Sequence, residues 1–214
     1  MDNIMQLPLG ALASNCYIVP GKENSAVVVD PASSAEVMAV LETNELTPSG
    51  IVITHGHFDH FAGADALKSQ TGALVYAPSL DAEMLEDPEK SWSWFMRGTP
   101  FVPVKPDKLY ENGDTFEVGG VEFRVMAAPG HTAGSCLLFC EQYGVIFTGD
   151  ALFKNSVGRT DGYSGSPRQQ TESLEQIKKI TGNYKLLCGH GETTDLDTEK
   201  RFNPYLNNQQ LFNF

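Results

Sequence analysis

One short motif restricts this chain more than any other feature, because it places four metal-ligand side chains at the end of a strand. Residues 51–54 (Ile-Val-Ile-Thr) are typical of a buried strand, and His55, His57, Asp59 and His60 follow within six positions. In an extended or turning segment, residues i, i+2 and i+4 project to the same side. His55, His57 and Asp59 can therefore converge on one point, while His60 points elsewhere. Imidazoles and a carboxylate suit zinc or a similar divalent ion, so the motif predicts two neighbouring metal sites.

The two remaining histidines and one aspartate lie in similar surroundings. His131 lies in Ala-Pro-Gly-His-Thr, His190 in Cys-Gly-His-Gly, and Asp150 in Phe-Thr-Gly-Asp. Each follows an apolar, strand-like run and is close to a glycine, which lets the backbone turn sharply and approach a ligand closely. A His-rich solvated loop or a lone structural histidine does not explain why all five histidines share this context. We therefore predict that these three side chains join the metal motif.

The order of these motifs resembles that of the metallo-β-lactamase fold superfamily. His-x-His-x-Asp-His is followed by Gly-His-Thr, Gly-Asp and Gly-His-Gly, and the resemblance extends from Leu12 to the last of these histidines. It implies a fold of the α/β (α+β) class, a four-layer αββα sandwich of two mixed sheets flanked by helices, with the site along one edge. It also implies seven ligands in two sets that share a bridging residue: His55, His57 and His131 for one metal, Asp59, His60 and His190 for the other, and Asp150 for both.

The pattern of the chain alone predicts a mixed α/β domain. Residues 10–30 are typical of a hairpin, Ser33 and Glu36 form a capping box for a helix, and residues 48–50 (Pro-Ser-Gly) are predicted to end that helix. A later helix is predicted to begin after Ser166, with proline at its first position. Nothing in the composition marks a linker, so we predict one domain over residues 1–214.

The acidic composition argues against some classes of partner. The formal net charge is -12 and the sequence pI is about 4.7, so the surface should repel nucleic-acid backbones, although two divalent ions would add local positive charge. The first residues lack the basic and apolar regions of a signal peptide, and no apolar run approaches the length of a membrane span. We expect a cytoplasmic protein with neither nucleic-acid nor membrane partners, and the sequence indicates no oligomeric state.

The cysteines are expected to be reduced, buried packing residues, because they lie in apolar runs and form no Cys-x-x-Cys pair. They are Cys16, Cys136, Cys140 and Cys188. For Cys188 the alternative prediction is a position near the metals, since this residue lies two residues before His190.

Two further features each have two interpretations. Asp30 ends a predicted strand, where it would either hold a ligand imidazole from behind or act as a cap or turn residue before Pro31. Residues 79–100 interrupt the alternation of elements and contain both tryptophans of the chain, Trp92 and Trp94. This segment is either a flap over the substrate or an insertion that aromatic residues anchor to the body.

Within the superfamily, one stretch resembles glyoxalase II, the hydroxyacylglutathione hydrolases, and its short-chain relatives. It combines Gly-Asp-x-Leu-Phe at residues 149–153 with Gly-Arg at residues 158–159. Arg159 matches the basic position that in that family holds a glutathione carboxylate; a surface salt bridge is its alternative role. The long enzymes continue into a helical domain with further glutathione contacts. Here residues 202–206 instead resemble the ending of the short hydrolases, so the metal ligands carry over more fully than the glutathione specificity.

The resemblance implies a dinuclear metal-dependent hydrolase that cleaves a small-molecule thioester, such as an S-2-hydroxyacylglutathione, or an ester. Two divalent metal ions would share a bridging hydroxide, with zinc as the expected metal and iron or manganese as alternatives. Asp59 would be both ligand and catalytic residue, because its carboxylate can orient the nucleophile.

Other activities use the same site. A persulfide dioxygenase would bind a single iron through His55, His131 and Asp150, which leaves open positions for oxygen. A lactonase would open an ester with the same hydroxide. A β-lactamase is disfavoured because the bridging aspartate is not part of that family's zinc site, and a binding scaffold is disfavoured because it needs no complete ligand set.

Overall fold

The computed structural model describes residues 4–96 and 98–207. Arg97, within the segment 79–100, and both ends of the predicted domain lie outside the described residues. The strands are β1 (Met5–Leu9), β2 (Ser14–Pro20), β3 (Ser25–Val29), β4 (Thr47–Val52), β5 (Leu74–Pro78), β6 (Lys108–Tyr110), β7 (Thr115–Val118), β8 (Val121–Ala127), β9 (Cys136–Cys140), β10 (Val145–Gly149), β11 (Lys185–Cys188) and β12 (Thr194–Asp195). The α-helices are α1 (Ser34–Thr43), α2 (Ala64–Thr71), α3 (Pro167–Lys178), α4 (Leu196–Phe202) and α5 (Pro204–Asn207), and 3₁₀ turns cover Phe58–His60, Ser79–Glu86, Ser93–Phe95 and Glu141–Tyr143.

The strands form two six-stranded mixed sheets. In the first sheet the strands follow chain order, β1 to β6; β1–β2–β3 are antiparallel, and β3 to β6 are parallel. In the second the order is β12-β11-β10-β9-β8-β7, with a parallel pair at β10–β11 and antiparallel pairs elsewhere.

The alternation of side chains along the strands creates the layers. In β2, Tyr17 and Val19 face the second sheet, while Cys16 and Ile18 face a helical layer that includes Leu67 of α2. Since successive strand residues point to opposite faces, strands that are apolar throughout can bury both faces. A third cluster packs the other face of the second sheet against α3 and the short C-terminal helices. The four-layer αββα sandwich that the sequence predicts is thus confirmed.

The helix starts were predicted well, but one helix stop was wrong. α1 begins after Ser33, whose hydroxyl donates to the Glu36 carboxylate, and α3 begins after Ser166, whose hydroxyl accepts from the Gln169 amide at 3.3 Å. Residues 48–50, predicted to end α1, lie inside β4, and α1 already ends at Thr43. The β3–β4 register skips Ser49, and the pairing of β4 with β5 begins only at Gly50, so Pro48 has a strand partner on the β3 side alone.

The strand directions bring several chain segments to one edge of the sandwich. The motif of residues 55–60 follows β4, His131 follows β8, Asp150 follows β10 and His190 follows β11. β8, β10 and β11 run in the same direction, so their carboxyl ends meet at the same edge of the second sheet. A hydrogen bond joins the two sheets there, since the backbone amide of Asn15 donates to the Gly189 carbonyl oxygen at 2.7 Å. Among the described helices, none is long and apolar enough to cross a membrane.

Candidate metal centre

Three histidines form the first group of donor atoms. The donor atoms of His55, His57 and His131 all lie within 4.8 Å of one another, and His57 Nδ1 is 2.8 Å from His131 Nε2. All three side chains are buried. This is the set that the sequence assigns to one metal.

An aspartate and two histidines form the second group. His190 Nε2 lies 3.2 Å from Asp59 Oδ2 and 3.3 Å from His60 Nε2. His60 Nε2 is 3.5 Å from Asp59 Oδ2, so the three donor atoms face a common point. This is the set that the sequence assigns to the other metal.

Asp150 lies between the two groups. Its Oδ1 is 3.5 Å from His60 Nε2, and its Oδ2 is 3.5 Å from both His131 Nε2 and His190 Nε2. The close approach depends on glycine, because a Cβ at Gly189 would lie 2.1 Å from Asp150 Oδ1. The structure therefore brings all seven predicted side chains together, with the aspartate in the shared position.

The donor geometry fits a pair of divalent ions. Ligand atoms at 2.0–2.1 Å from a tetrahedral zinc lie about 3.3–3.4 Å apart, and the distances above span 2.8 to 3.5 Å. In the described part of the chain, His55 Nε2, His57 Nε2 and Asp150 Oδ1 are buried without a hydrogen-bond partner. An unsatisfied buried polar atom costs about 1–3 kcal/mol, so His55 Nε2 and Asp150 Oδ1 in particular indicate missing ligand bonds.

Asp30 holds two members of the motif from behind. Its carboxylate accepts from the Thr54 amide at 2.8 Å and the Thr54 hydroxyl at 2.7 Å, and its Oδ2 lies 3.0 Å from His60 Nδ1. With Nδ1 occupied in this way, His60 presents Nε2 to the second group. The predicted position of Asp30 behind a ligand imidazole agrees with this geometry.

Backbone and hydroxyl groups orient other donors. His131 Nδ1 donates to the Arg159 carbonyl oxygen at 2.7 Å, which leaves Nε2 for the site. The Ser14 hydroxyl donates to Asp59 Oδ2 at 2.6 Å. Ser14 was not predicted as part of the site, because its contact with Asp59 crosses 45 residues.

Asp81 is a second residue that the sequence analysis missed. It is fully buried and accepts from the Gly56 amide at 2.9 Å, the Gly134 amide at 2.7 Å and the Thr132 hydroxyl at 2.6 Å. Burial raises the pKa of this carboxyl, although the three hydrogen bonds oppose the shift. Asp81 thus joins the loop of residues 55–60 to the loop that carries His131.

Without metal, the donors divide into neutral and protonated imidazoles. Burial, followed by repulsion from neighbouring imidazoles, holds the pKa of His55 and of His57 well below the usual value. Burial also acts to lower the pKa of His60, but Asp59, Asp150 and Asp30 raise it to about 10. Burial opposes ionisation of Asp59 as well, yet His60 and hydrogen bonds keep its pKa below the usual range. The second group therefore attracts positive charge, as a metal site should.

Five of the seven donor residues line a cleft of about 220 Å³, namely His57, Asp59, His131, Asp150 and His190. Trp92 stacks on His57 with ring centroids 4.9 Å apart, and the Arg159 guanidinium lies 4.8 Å from the Trp92 ring. Trp94 and Phe95, which follow Trp92 closely in the chain, are 61% and 45% exposed. Trp92 thus anchors its segment beside the site, and movement of residues 79–100 as a flap stays a prediction.

Arg159 lines the cleft but already has an anionic partner. Its Nε and Nη2 donate to the two carboxylate oxygens of Asp161 at 2.6 and 2.7 Å. The guanidinium therefore combines the salt bridge that was its alternative role with a place beside the donors. A substrate carboxylate would compete with Asp161 for it.

The cysteines take no part in the donor groups of the described residues. All four are free and buried. Burial raises the pKa of Cys188 to about 11, so this thiol stays protonated at neutral pH. The alternative position of Cys188 as a metal neighbour is not supported.

Comparison with known proteins places this arrangement among metal-dependent hydrolases. Residues 9–190 match the family described as the Metallo-beta-lactamase superfamily. Hydroxyacylglutathione hydrolase GloC of Haemophilus influenzae is 30% identical over 213 residues, which cover 97% of this chain and 99% of that protein. The BLEG-1 B3 metallo-beta-lactamase structure is 33% identical with a TM-score of 0.89, covering 95% of this chain and 99% of that one. TTHA1623, solved in a di-iron-bound form, is 30% identical with a TM-score of 0.83, covering 94% and 99%.

Proposed function

The chain belongs to the metallo-β-lactamase superfamily, and from this premise we propose that it is a dinuclear metal-dependent thioesterase with a substrate such as an S-2-hydroxyacylglutathione. The observation that carries the proposal is the convergence of seven donors in two groups with Asp150 between them. A relative that is 30% identical over nearly its whole length is a hydroxyacylglutathione hydrolase, which supports a thioester as the substrate.

The proposed roles follow the two donor groups. One ion would be held by His55, His57 and His131, the other by Asp59, His60 and His190, and both by Asp150. When bound, two divalent ions would supply Lewis acidity and make water nucleophilic near neutral pH. Zinc is the expected metal, and the di-iron form of TTHA1623 keeps iron as an alternative.

Asp59 is proposed to orient the attacking water. Its lowered pKa keeps the carboxylate ionised at neutral pH, and the bond from Ser14 to Oδ2 fixes its position. An ionised carboxylate can accept a hydrogen bond from water and so direct the oxygen towards a carbonyl carbon. In this mechanism a water molecule is the nucleophile, so no serine or cysteine nucleophile is required.

Arg159 is proposed to bind a carboxylate of the thiol carrier. Arg159 lines the same cleft as His57, Asp59 and His131, and its guanidinium lies over the Trp92 ring. A planar guanidinium can hold a carboxylate through two parallel hydrogen bonds, as it holds Asp161. The substrate carboxylate would take the place of Asp161.

Elemental analysis followed by turnover tests the proposal. Protein purified without added metal should contain close to two zinc, iron or manganese ions per chain and should hydrolyse S-lactoylglutathione. A lactone and a β-lactam belong in the same substrate panel, the latter because BLEG-1 is a β-lactamase. Asp107→Asn serves as a control substitution outside the metal centre. Asp107 accepts hydrogen bonds from Lys68 and Val75, neither of which is a predicted metal ligand.

Metal content and turnover also distinguish the proposed hydrolase from the dioxygenase alternative. That activity would use only His55, His131 and Asp150 and would leave the second group without a purpose. One iron per chain, no hydrolysis of any thioester, and oxygen uptake with a thiol persulfide would replace the hydrolase by the dioxygenase.

A further inference from the structure

The cleft lining contains two chemically different sets of side chains. One set belongs to the donor groups: His57, Asp59, His131, Asp150 and His190. The other, here called the apolar wall, is formed by Leu12, Trp92, Phe95 and Met96. Arg159 completes the lining. A molecule whose reacting bond lies at the donors therefore has apolar surface within the same small cleft.

Two side chains of the apolar wall are exposed, and its tryptophan is held in place. Leu12 and Phe95 are 47% and 45% exposed, so their apolar surface faces water in the free protein. Trp92 is fixed between the His57 ring and the Arg159 guanidinium, and a Cβ at Gly162 would lie only 2.7 Å from its indole. Because Trp92 is held in place, packing an apolar group beside it on Leu12 and Phe95 costs little reorganisation of the tryptophan.

Charge in the cleft does not favour an anionic group against this wall. Among the described residues that line the cleft, Arg159 is the one with a permanent positive charge, and Asp161 already pairs with it. The chain as a whole carries a formal net charge of -12. A neutral apolar group does not compete with Asp161 for the guanidinium, whereas an anionic group placed beside Arg159 would.

We propose that the substrate's acyl group carries an apolar chain that packs on Leu12, Trp92 and Phe95. This inference rests on the thioesterase function proposed above and specifies its substrate class. The scissile carbonyl must lie at the donors, so an acyl chain attached to it can reach the apolar wall within the same cleft of about 220 Å³. A larger cavity of about 560 Å³ also has Arg159 in its lining, together with Thr160 and Asp161, and has room for the thiol carrier.

A series of thioesters tests the proposal directly. Acetyl, butanoyl and hexanoyl thioesters of N-acetylcysteamine, a small uncharged thiol, would be assayed with the metal-loaded enzyme. Each fully buried methylene contributes about fourfold. With partial burial, kcat/KM should rise at least about tenfold from acetyl to hexanoyl. Lengthening the thiol side while keeping an acetyl group should have a smaller effect.

Two matched variants locate the contact. Phe95→Ala should lower the hexanoyl-to-acetyl ratio of kcat/KM about fivefold. Phe202→Ala removes the same side chain from a position that is 61% exposed and is not in the cleft lining, so its ratio should equal that of the wild type. Equal loss of the ratio in both variants would overturn the assignment of the wall.

A binding measurement makes the result independent of turnover. Trp94→Phe leaves Trp92 as the one tryptophan, because the chain contains two, and keeps an aromatic ring stacked on Phe95. Titration of this metal-loaded protein with acetate, butanoate and hexanoate should change the Trp92 fluorescence, with a Kd that falls as the chain lengthens. A Kd that does not depend on chain length would overturn the proposal.

The two proposals fail in different ways. If thioesters are hydrolysed at rates that do not depend on acyl length, the thioesterase stands and the apolar acyl group is wrong. If no thioester is hydrolysed, the thioesterase is wrong, and with it the assignment of the wall to an acyl group.

Discussion

At the scale of single residues, the metal centre depends on the groups that hold its donors as well as on the donors. Asp30 fixes His60, the Arg159 carbonyl fixes His131, and the Ser14 hydroxyl fixes Asp59. The contacts to His60 and His131 occupy Nδ1 and leave Nε2 facing the site, whereas the Ser14 hydroxyl holds Asp59 Oδ2, the oxygen that itself faces the other donors. Loss of such a contact should weaken metal binding without removing a ligand.

Asp30→Asn should weaken metal binding about 10- to 100-fold. The asparagine amide keeps the size of the carboxylate. Its NH₂ group, however, would face a group of Thr54 or His60 that itself donates a hydrogen bond. Competition with a chromophoric chelator measures the affinity, and circular dichroism checks the fold. Asp107→Asn serves as the control, and equal affinities in the two variants would show that Asp30 does not position a ligand.

The metal-free protein should lose stability as the pH rises above neutrality. The pKa of His60 is raised from 6.5 to about 10 in the folded state, so its protonated form is favoured by folding. This stabilisation is fully present below about pH 6.5 and is lost as the pH rises towards about 10. Denaturant unfolding at pH 6, 8 and 10 in chelator measures it. The same pH dependence in His60→Asn would contradict this origin.

At the scale of secondary-structure elements, the donors could be predicted because residue type and neighbours carry the signal. Histidines and aspartates beside glycines at strand ends identify a site without knowledge of the strand pairing. Pro48 was placed wrongly because its place in β4 depends on where the pairing with β3 and β5 begins, which is a tertiary feature. Asp81 and Ser14 were missed for the same reason, since their partners lie far away in the chain.

Asp81→Asn should affect both stability and metal binding. The 3₁₀ segment Ser79–Glu86 places this carboxylate between two ligand-bearing loops. There it accepts hydrogen bonds from two backbone amides and from the Thr132 hydroxyl. Replacing one buried acceptor by a donor should cost about 1–3 kcal/mol of unfolding free energy. Urea unfolding and metal titration measure the two effects. A stability loss with unchanged metal affinity would limit Asp81 to a structural role.

At the scale of the whole molecule, the site lies where the two sheets meet. The first sheet supplies the motif after β4 and the second supplies His131, Asp150 and His190. Ser14 also forms an isolated bridge with His190 across the same edge. The resemblance of motifs was sufficient to predict this architecture, whereas one domain over residues 1–214 stays a prediction.

Metal removal should therefore destabilise the entire fold. Ions that bind only the folded state stabilise it by about 2.7 kcal/mol at 100 times the dissociation constant. For a chain of 214 residues this corresponds to a rise in Tm of roughly 5–10 °C. Calorimetry with and without chelator measures the shift, and an unchanged Tm after metal loss would argue against ions that join the two sheets.

The most direct test of the metal centre is anomalous X-ray scattering from a crystal of protein purified without added metal. Data at the zinc, iron and manganese edges locate and identify each ion. We expect two peaks, one within ligand distance of His55, His57 and His131 and the other within ligand distance of Asp59, His60 and His190, with Asp150 between them. A single peak bound by His55, His131 and Asp150, or a peak away from these side chains, would contradict this expectation.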